Sequence, residues 1–174
     1  AIVCRDDGAA NPMLTTRAYW RRALSEGVEY HLGDIVDGIE RIGDLWRVHA
    51  GEAHLEAPVL VNCAGAWGDT VAAMLGDSAP LTAQALTMMV TERIPHFIDP
   101  VCGLASGGLS FKQSDEGTLV IGGGHLGHAD RDAETAEPDP IALGRSARTV
   151  ARVFPQLKDV PIARTWCGLE GKMP

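Results

Sequence analysis

The apolar positions of this chain change period several times, and each change predicts an element. Asn11 is a good N-cap and Pro12 sits where a missing N–H costs nothing, so a helix is expected from there to a stop at Gly27. Met13, Trp20, Ala23 and Leu24 give it an expected buried stripe. From Val28 the pattern moves to alternation, with Gly43-Asp44 and Gly51-Glu52 punctuating three extended runs, Ile35 to Ile42, Leu45 to Ala50 and Ala53 to Ala57. These form a β-meander, with Trp46 and Val48 on one inward face. Val59-Leu60-Val61 then reads as a short strand that ends in the small residues Asn62-Cys63-Ala64-Gly65-Ala66-Trp67. A helix over Asp69 to Leu75 follows, stopped by Gly76. Strand, tight turn and helix start is the arrangement in which an α/β sheet offers backbone N–H groups to a ligand. Ala64 and Gly65 carry almost no side chain, so a flat or charged ligand can approach the main chain there. A buried strand that merely turns a corner fits the same residues.

Beyond Gly76, Pro80-Leu81 opens an extended region through Met88, Met89 and Val90, which Pro95 and Pro100 break. Neighbouring residues of a strand face opposite ways, so at most one of the two methionines lines a ligand. Leu109 to Gln113 and Thr118 to Ile121 read as a hairpin around Ser114-Asp115-Glu116-Gly117. Asp139-Pro140 starts the clearest helix, since Leu143, Ala147, Val150, Ala151 and Phe154 recur at helical spacing before Pro155. Arg145, Arg148 and Arg152 take its solvated side. A last strand runs from Val160 to Trp166 and is expected to stop at Gly168.

Composition narrows the partners. The 23 acidic against 15 basic residues give a formal charge of −8, which disfavours general attraction to nucleic acid or anionic membrane. Small molecules and proteins are the expected partners. Cys4, Cys63, Cys102 and Cys167 lie far apart without a C-x-x-C pair, indicating neither a zinc ribbon nor a disulfide scaffold, and fitting a reducing cytoplasm. No run of about 18 apolar residues occurs, and Ala1 to Asp7 lack the apolar centre of a signal peptide. The start at Ala1 rather than Met suggests a cut or processed piece.

Four stretches together carry a resemblance: Asp7-Gly8 with Asn11-Pro12, Asn62-Cys63-Ala64-Gly65-Ala66-Trp67, Gly117-Thr118-Leu119-Val120-Ile121-Gly122-Gly123, and Thr165-Trp166-Cys167-Gly168-Leu169-Glu170-Gly171. In order and spacing they resemble the D-amino-acid oxidase-like family of FAD-dependent amine and amino-acid oxidoreductases, over nearly the whole chain and matching the family's middle. The resemblance implies an α/β fold with α+β character. Residues 1–78 would be part of a doubly wound FAD-binding domain with its meander, 79–166 a mostly antiparallel substrate sheet with a packed helix, and 167–174 a return to the cofactor domain.

It also implies FAD contacts at Val36, Cys63, Ala64, Gly65, Trp67, Gly168 and Leu169, with the adenine beside the backbone of Val36. Lys112, Gln113 and His125 are the expected substrate-side residues, and no catalytic acid or base is named. The implied chemistry is hydride removal from the carbon next to an amine nitrogen, which is the flavin's work and needs no Ser/His/Asp or paired-carboxylate constellation. Glu170 stands where glycine and D-amino-acid oxidases have an arginine that grips the substrate carboxylate. That departure favours the branch resembling sarcosine oxidase β, opine oxidase and cyanide synthase subunits, where partner subunits are common; a homo-oligomer is the other assembly. The piece alone is expected to be inactive, and FAD is expected in the intact parent, with the piece itself either keeping or lacking it.

Two other matches are weighed and refused. Gly122-Gly123-Gly124-His125-Leu126-Gly127 satisfies G-x-G-x-x-G after a strand, but His128 to Pro140 offers only alanines as apolar residues and cannot be the packed helix a dinucleotide turn opens into. His125 and His128 with Asp130 and Asp132 are the best metal candidate, yet they fall in an acidic segment without a helical stripe, and no metal is assigned. The competing function classes are a cofactor-free binding or subunit-docking module and, on those two histidines alone, a metal-dependent hydrolase.

Overall fold

The computed structural model describes Cys4, Asp6, 8–105 and 107–174, and the chain divides into two compact units, Ala1–Asn62 with Val71–Asp77, and Cys63–Thr70 with Ser78–Pro174. Ala1 to Val3, Arg5 and Asp7 of the opening segment, and with them the Asp7 part of the resemblance, lie outside the described residues.

The first unit contains α1 (Pro12–Ser25), capped as its sequence demands: the Asn11 side chain accepts from the Leu14 N–H at 3.1 Å. Its stripe, however, is not buried. Met13 is 71% exposed and Trp20 41%, and no α1 residue is fully buried, because no described element covers that face. Trp20 packs on Tyr30, edge to face with ring centroids 6.3 Å apart. The meander is β1 (Val36–Ile42), β2 (Leu45–Ala50) and β3 (Ala53–Ala57), antiparallel in that order, with Gly43 and Gly51 supplying the positive φ its two tight turns need. Ile39, Val48 and Leu55 stand opposite one another, as do Arg41, Trp46 and Ala57, so Trp46 and Val48 share a face.

Val59 to Val61 form no strand. Val61 is 73% exposed, and no described strand lies beside it to complete a ladder. An apolar run alone does not make a strand, which also needs a neighbour. The chain continues into a single 3-10 turn, Gly65–Trp67, and α2 (Gly68–Met74).

The second unit is built on β4 (Thr82–Thr91), β5 (Cys102–Gly103), β6 (Ser110–Gln113), β7 (Leu119–Leu126) and β10 (Ile162–Lys172), in the order β10-β4-β7-β6-β5, all antiparallel. A small ribbon, β8 (His128–Asp130) with β9 (Thr135–Glu137), follows β7. Met89, Leu109, Phe111, Leu119 and Ile121 form the core with Val150 of α3 (Pro140–Val153) and Leu157. Asp139 caps α3 by accepting from the Ala142 N–H at 2.8 Å. The buried residues of α3 are Ala142, Ser146 and Val150, whereas Ala147 of the expected stripe is exposed. The rest of the expected stripe holds, with Val150 in the core and Leu143 and Phe154 packed against it.

Strand β10 also runs past Gly168 to Lys172, since β4 continues opposite it and supplies hydrogen bonds to the end. Gly122 to Leu126 remain inside β7 and open no helix; a Cβ on Gly124 would lie 1.0 Å from the Gly108 carbonyl oxygen. Close backbone crossing, not phosphate binding, accounts for that glycine. Among the described residues no helix is long and apolar enough to cross a membrane.

Candidate functional site

The five-stranded sheet has two unlike faces. From Ala85 onward the odd-numbered residues of β4, Ala85, Thr87, Met89 and Thr91, are buried. By register the opposite face carries two rows. Arg164, Val90, Val120 and Lys112 cross it in one, and Trp166, Met88, Gly122 and Ser110 in the next. Gly168 and Leu86 continue it, then Glu170 and Gln84. The Arg164 guanidinium carbon lies 5.9 Å from the Trp166 ring centre, as same-face neighbours should. Met88 covers Gly122: a Cβ there would meet the Met88 sulfur at 2.0 Å. This face is therefore an apolar strip of Met88, Val90 and Val120 with a cation at each edge.

The small-residue turn is fixed by two devices in the same unit. A Cβ on Gly171 would lie 2.7 Å from the Gly65 carbonyl oxygen, so the turn rests directly on the β10 backbone. Arg131, from the β8–β9 loop, donates through Nη1 to the Ala66 carbonyl at 3.2 Å and to both Asp69 carboxylate oxygens at 2.6 and 2.8 Å. The donated hydrogen bond from Arg131 holds the Asp69 carboxyl below its ordinary range, and Asp69 in turn raises Arg131. The Trp67 N–H closes the turn on the Ala64 carbonyl at 3.0 Å.

Ala64 is half-buried, whereas Cys63 and Gly65 are exposed. Gly65 has φ +56° and a Cβ there would meet nothing within 4 Å; the Cβ position of Gly168 is likewise empty. Space for a flat ring against bare backbone is thus present at both glycines. The three glycines of the G-x-G-x-x-G stretch are taken up by packing: a Cβ on Gly122, Gly124 or Gly127 would run into Met88, Gly108 or Glu137.

The remaining expected residues are dispersed. Val36 opens β1 in the first unit, paired with Ala50. Leu169 faces the side opposite Gly168 and is half-buried. Lys112 lies on the open sheet face, and His125 is half-buried at the irregular end of β7, its carbonyl accepting from the Thr87 hydroxyl at 2.5 Å.

Gln113 has a different task from the one expected. It shares the core face with Phe111 and is 7% exposed. Its Oε1 accepts from the Phe97 N–H at 2.9 Å, and its Nε2 donates to the carbonyls of Pro95 and Gly117, each at 3.2 Å. Period-two alternation decides the matter, because Lys112 and Gln113 cannot both face outward. Sequence reasoning did not single out Arg164 and Trp166, nor which of the two methionines shares their face, because that is visible only once β10, β4 and β7 are registered.

A cleft of about 650 Å³ opens at the far end of the sheet, lined by Thr82, Gln84, Leu126, His128, Lys172 and Met173 among others. None of the residues expected to bind cofactor or substrate lines it.

Residues 1–174 match the family of FAD dependent oxidoreductases designated DAO. The chain belongs to that family. It is 28% identical over 173 residues to a hydrogen cyanide synthase subunit of Pseudomonas aeruginosa, covering 97% of this chain and 40% of that protein. It is 30% identical over 155 residues to the sarcosine oxidase subunit beta of Rhizobium meliloti, covering 87% of this chain and 36% of the relative. The crystal structure of L-proline dehydrogenase from P. horikoshii superposes with a TM-score of 0.83 at 22% identity, over 95% of this chain and 45% of that one. That likeness gives the fold: mixed helices and antiparallel sheets of the FAD dependent oxidoreductase kind. The chain of this family member spans less than half the length of these relatives.

Proposed function

We propose that this chain is the central part of a flavin-dependent oxidoreductase that oxidises the C–N bond of an amino acid or secondary amine, of the D-amino acid, glycine, sarcosine or opine-like kind, to an imine. Family membership supports the class, and the observation that carries the site is the bare backbone at Gly65 and Gly168, where no Cβ would meet a neighbour. Cys63, Ala64, Gly65, Trp67, Gly168 and Leu169 are assigned to the ring end of FAD, and Val36 to its adenine. When bound, the flavin supplies hydride acceptance from the carbon beside the amine nitrogen.

The chain's own residues shape and dry the space. Met88, Val90 and Val120 exclude water along one wall, with Lys112 at its edge and His125 assigned beside it. Glu170 cannot pair with a substrate carboxylate, so an anionic substrate is held by other groups, for which Arg164 and Lys112 are the cations on the same face. The naming of relatives as subunits supports a partnered assembly.

Titration of FAD and of riboflavin with the full chain, followed by flavin fluorescence, tests the assignment. Because no diphosphate contact is assigned, both ligands are expected to bind weakly and within about tenfold of each other. Quenching is expected to be lost in Gly65→Val and Gly168→Val, with circular dichroism as the fold control. Unchanged quenching in both variants would overturn the corner as the flavin contact. Absence of quenching by the wild type would leave the cofactor-free docking module in its place.

A further inference from the structure

The polar face of the meander holds a constellation that the oxidoreductase reading does not use. His49 of β2 and His54 of β3 stand directly opposite in register, and their Nδ1 atoms approach to 2.9 Å with the rings at 75°. His49 Nε2 lies 3.2 Å from Glu40 Oε1 of β1. An ionised carboxylate only accepts, so Nε2 carries the His49 proton and the Nδ1 lone pair is turned towards His54. In the metal-free state His54 Nδ1–H donates into that lone pair.

The same 2.9 Å separation also matches the bite of a chelated ion. Two nitrogens at right angles about an ion with bonds of about 2.05 Å stand about 2.9 Å apart, whereas a tetrahedral ion would spread them to about 3.4 Å. We propose that His49 and His54 form a two-imidazole site for a divalent ion of square-planar or tetragonal preference, Cu(II) or Ni(II). Glu40 is its orienting carboxylate, in the relation that fixes the tautomer of metal-binding histidines.

The surroundings agree. Gly38 faces His49 in the register of β1 and β2, and a Cβ there would sit in ordinary contact with the ring at 3.4 Å. The neighbouring row is Glu40, Arg47 and Glu56, two acids to one base, with Arg47 donating to Glu56 at 2.6 and 2.8 Å and to Glu40 at 3.4 Å. The His49 side chain is 31% exposed, which gives the ion access and leaves water to complete its coordination. No group of three or more His, Cys, Asp or Glu among the described residues is arranged to hold a metal, so this is a two-ligand site. Binding moves the His54 proton from Nδ1 to Nε2 through solvent, leaves both rings neutral and changes no oxidation state.

The test uses the full chain with Cu(II) alone, read by electron paramagnetic resonance and by paramagnetic broadening of amide signals. One ion per chain with two nitrogen donors is expected, broadening residues around 38, 49 and 54, with Zn(II) binding more weakly. His49→Ala and His54→Ala should each weaken binding at least tenfold, and Glu40→Gln by about tenfold. His125→Ala with His128→Ala should leave it unchanged. His49→Gln and His54→Gln serve where an alanine variant loses its circular dichroism. Broadening centred on His125 and His128 in the wild type, or undiminished affinity in a folded His49/His54 double variant, would overturn the site.

Discussion

The meander and the five-stranded sheet are written in the same alternating code and end in different states. In the sheet, every second residue of β4 from Ala85 to Thr91 is buried, because α3 lies across that face. In the meander only Ala50 is buried, although Ile39, Val48 and Leu55 form as regular an apolar row. Alternation therefore specifies which side of a strand is apolar. Whether that side becomes a core depends on a second layer, and the first unit lacks one among its described residues.

Substitutions sharpen this contrast. The largest effect is expected from Gly124→Val, which drives a side chain into the Gly108 backbone and should leave no cooperative unfolding transition for the second unit. Phe111→Ala, which removes a 3%-exposed ring packed edge to face on Phe154 at 4.9 Å, should cost about 3–5 kcal/mol in denaturant unfolding. Val48→Ala, on the half-covered meander face, should cost only about 1 kcal/mol by the same measurement. Equal losses for the two would refute the difference between the regions.

Asn11→Ala removes one cap from a helix with no buried residue and should cost about 1 kcal/mol or less. Ser146→Ala has the opposite sign. The Ser146 hydroxyl is buried with no hydrogen-bond partner among the described residues, so its removal should stabilise the second unit by up to about 1 kcal/mol.

The smallest effect depends on pH. The Asp69 carboxyl titrates lower when folded than unfolded, so its contribution is full above the unfolded value near 3.8 and is lost as pH falls through the depressed folded one. Acid unfolding of wild type and Asp69→Asn should accordingly converge at the lowest pH and separate above about pH 4. Curves separated equally at every pH would show that the Arg131 pairing is not the cause.

Much of the fold was legible because it rests on local chemistry. Asn11-Pro12 and Asp139-Pro140 start helices by capping. Gly43 and Gly51 turn the meander through positive φ, and the hairpin closes at Gly117 with φ +92°. The corner at Ala64 and Gly65 was legible for the same reason, since a residue without a side chain announces itself. Gln113 was misplaced because its face depends on where Phe111 settles, and Trp20 because burial needs a covering element.

By itself, then, the sequence determined where α1, α2, α3, the meander, β4 and β6 begin and end to within a few residues, which face of the strands is apolar, and the family. Only the tertiary structure decided that Val59 to Val61 go unpaired and that β10 runs on to Lys172. The same holds for Arg164, Met88 and Lys112 sharing one open face, and for His49 meeting His54. Caps and turns are settled by neighbours along the chain, whereas pairing, burial and converging side chains depend on residues tens of positions away.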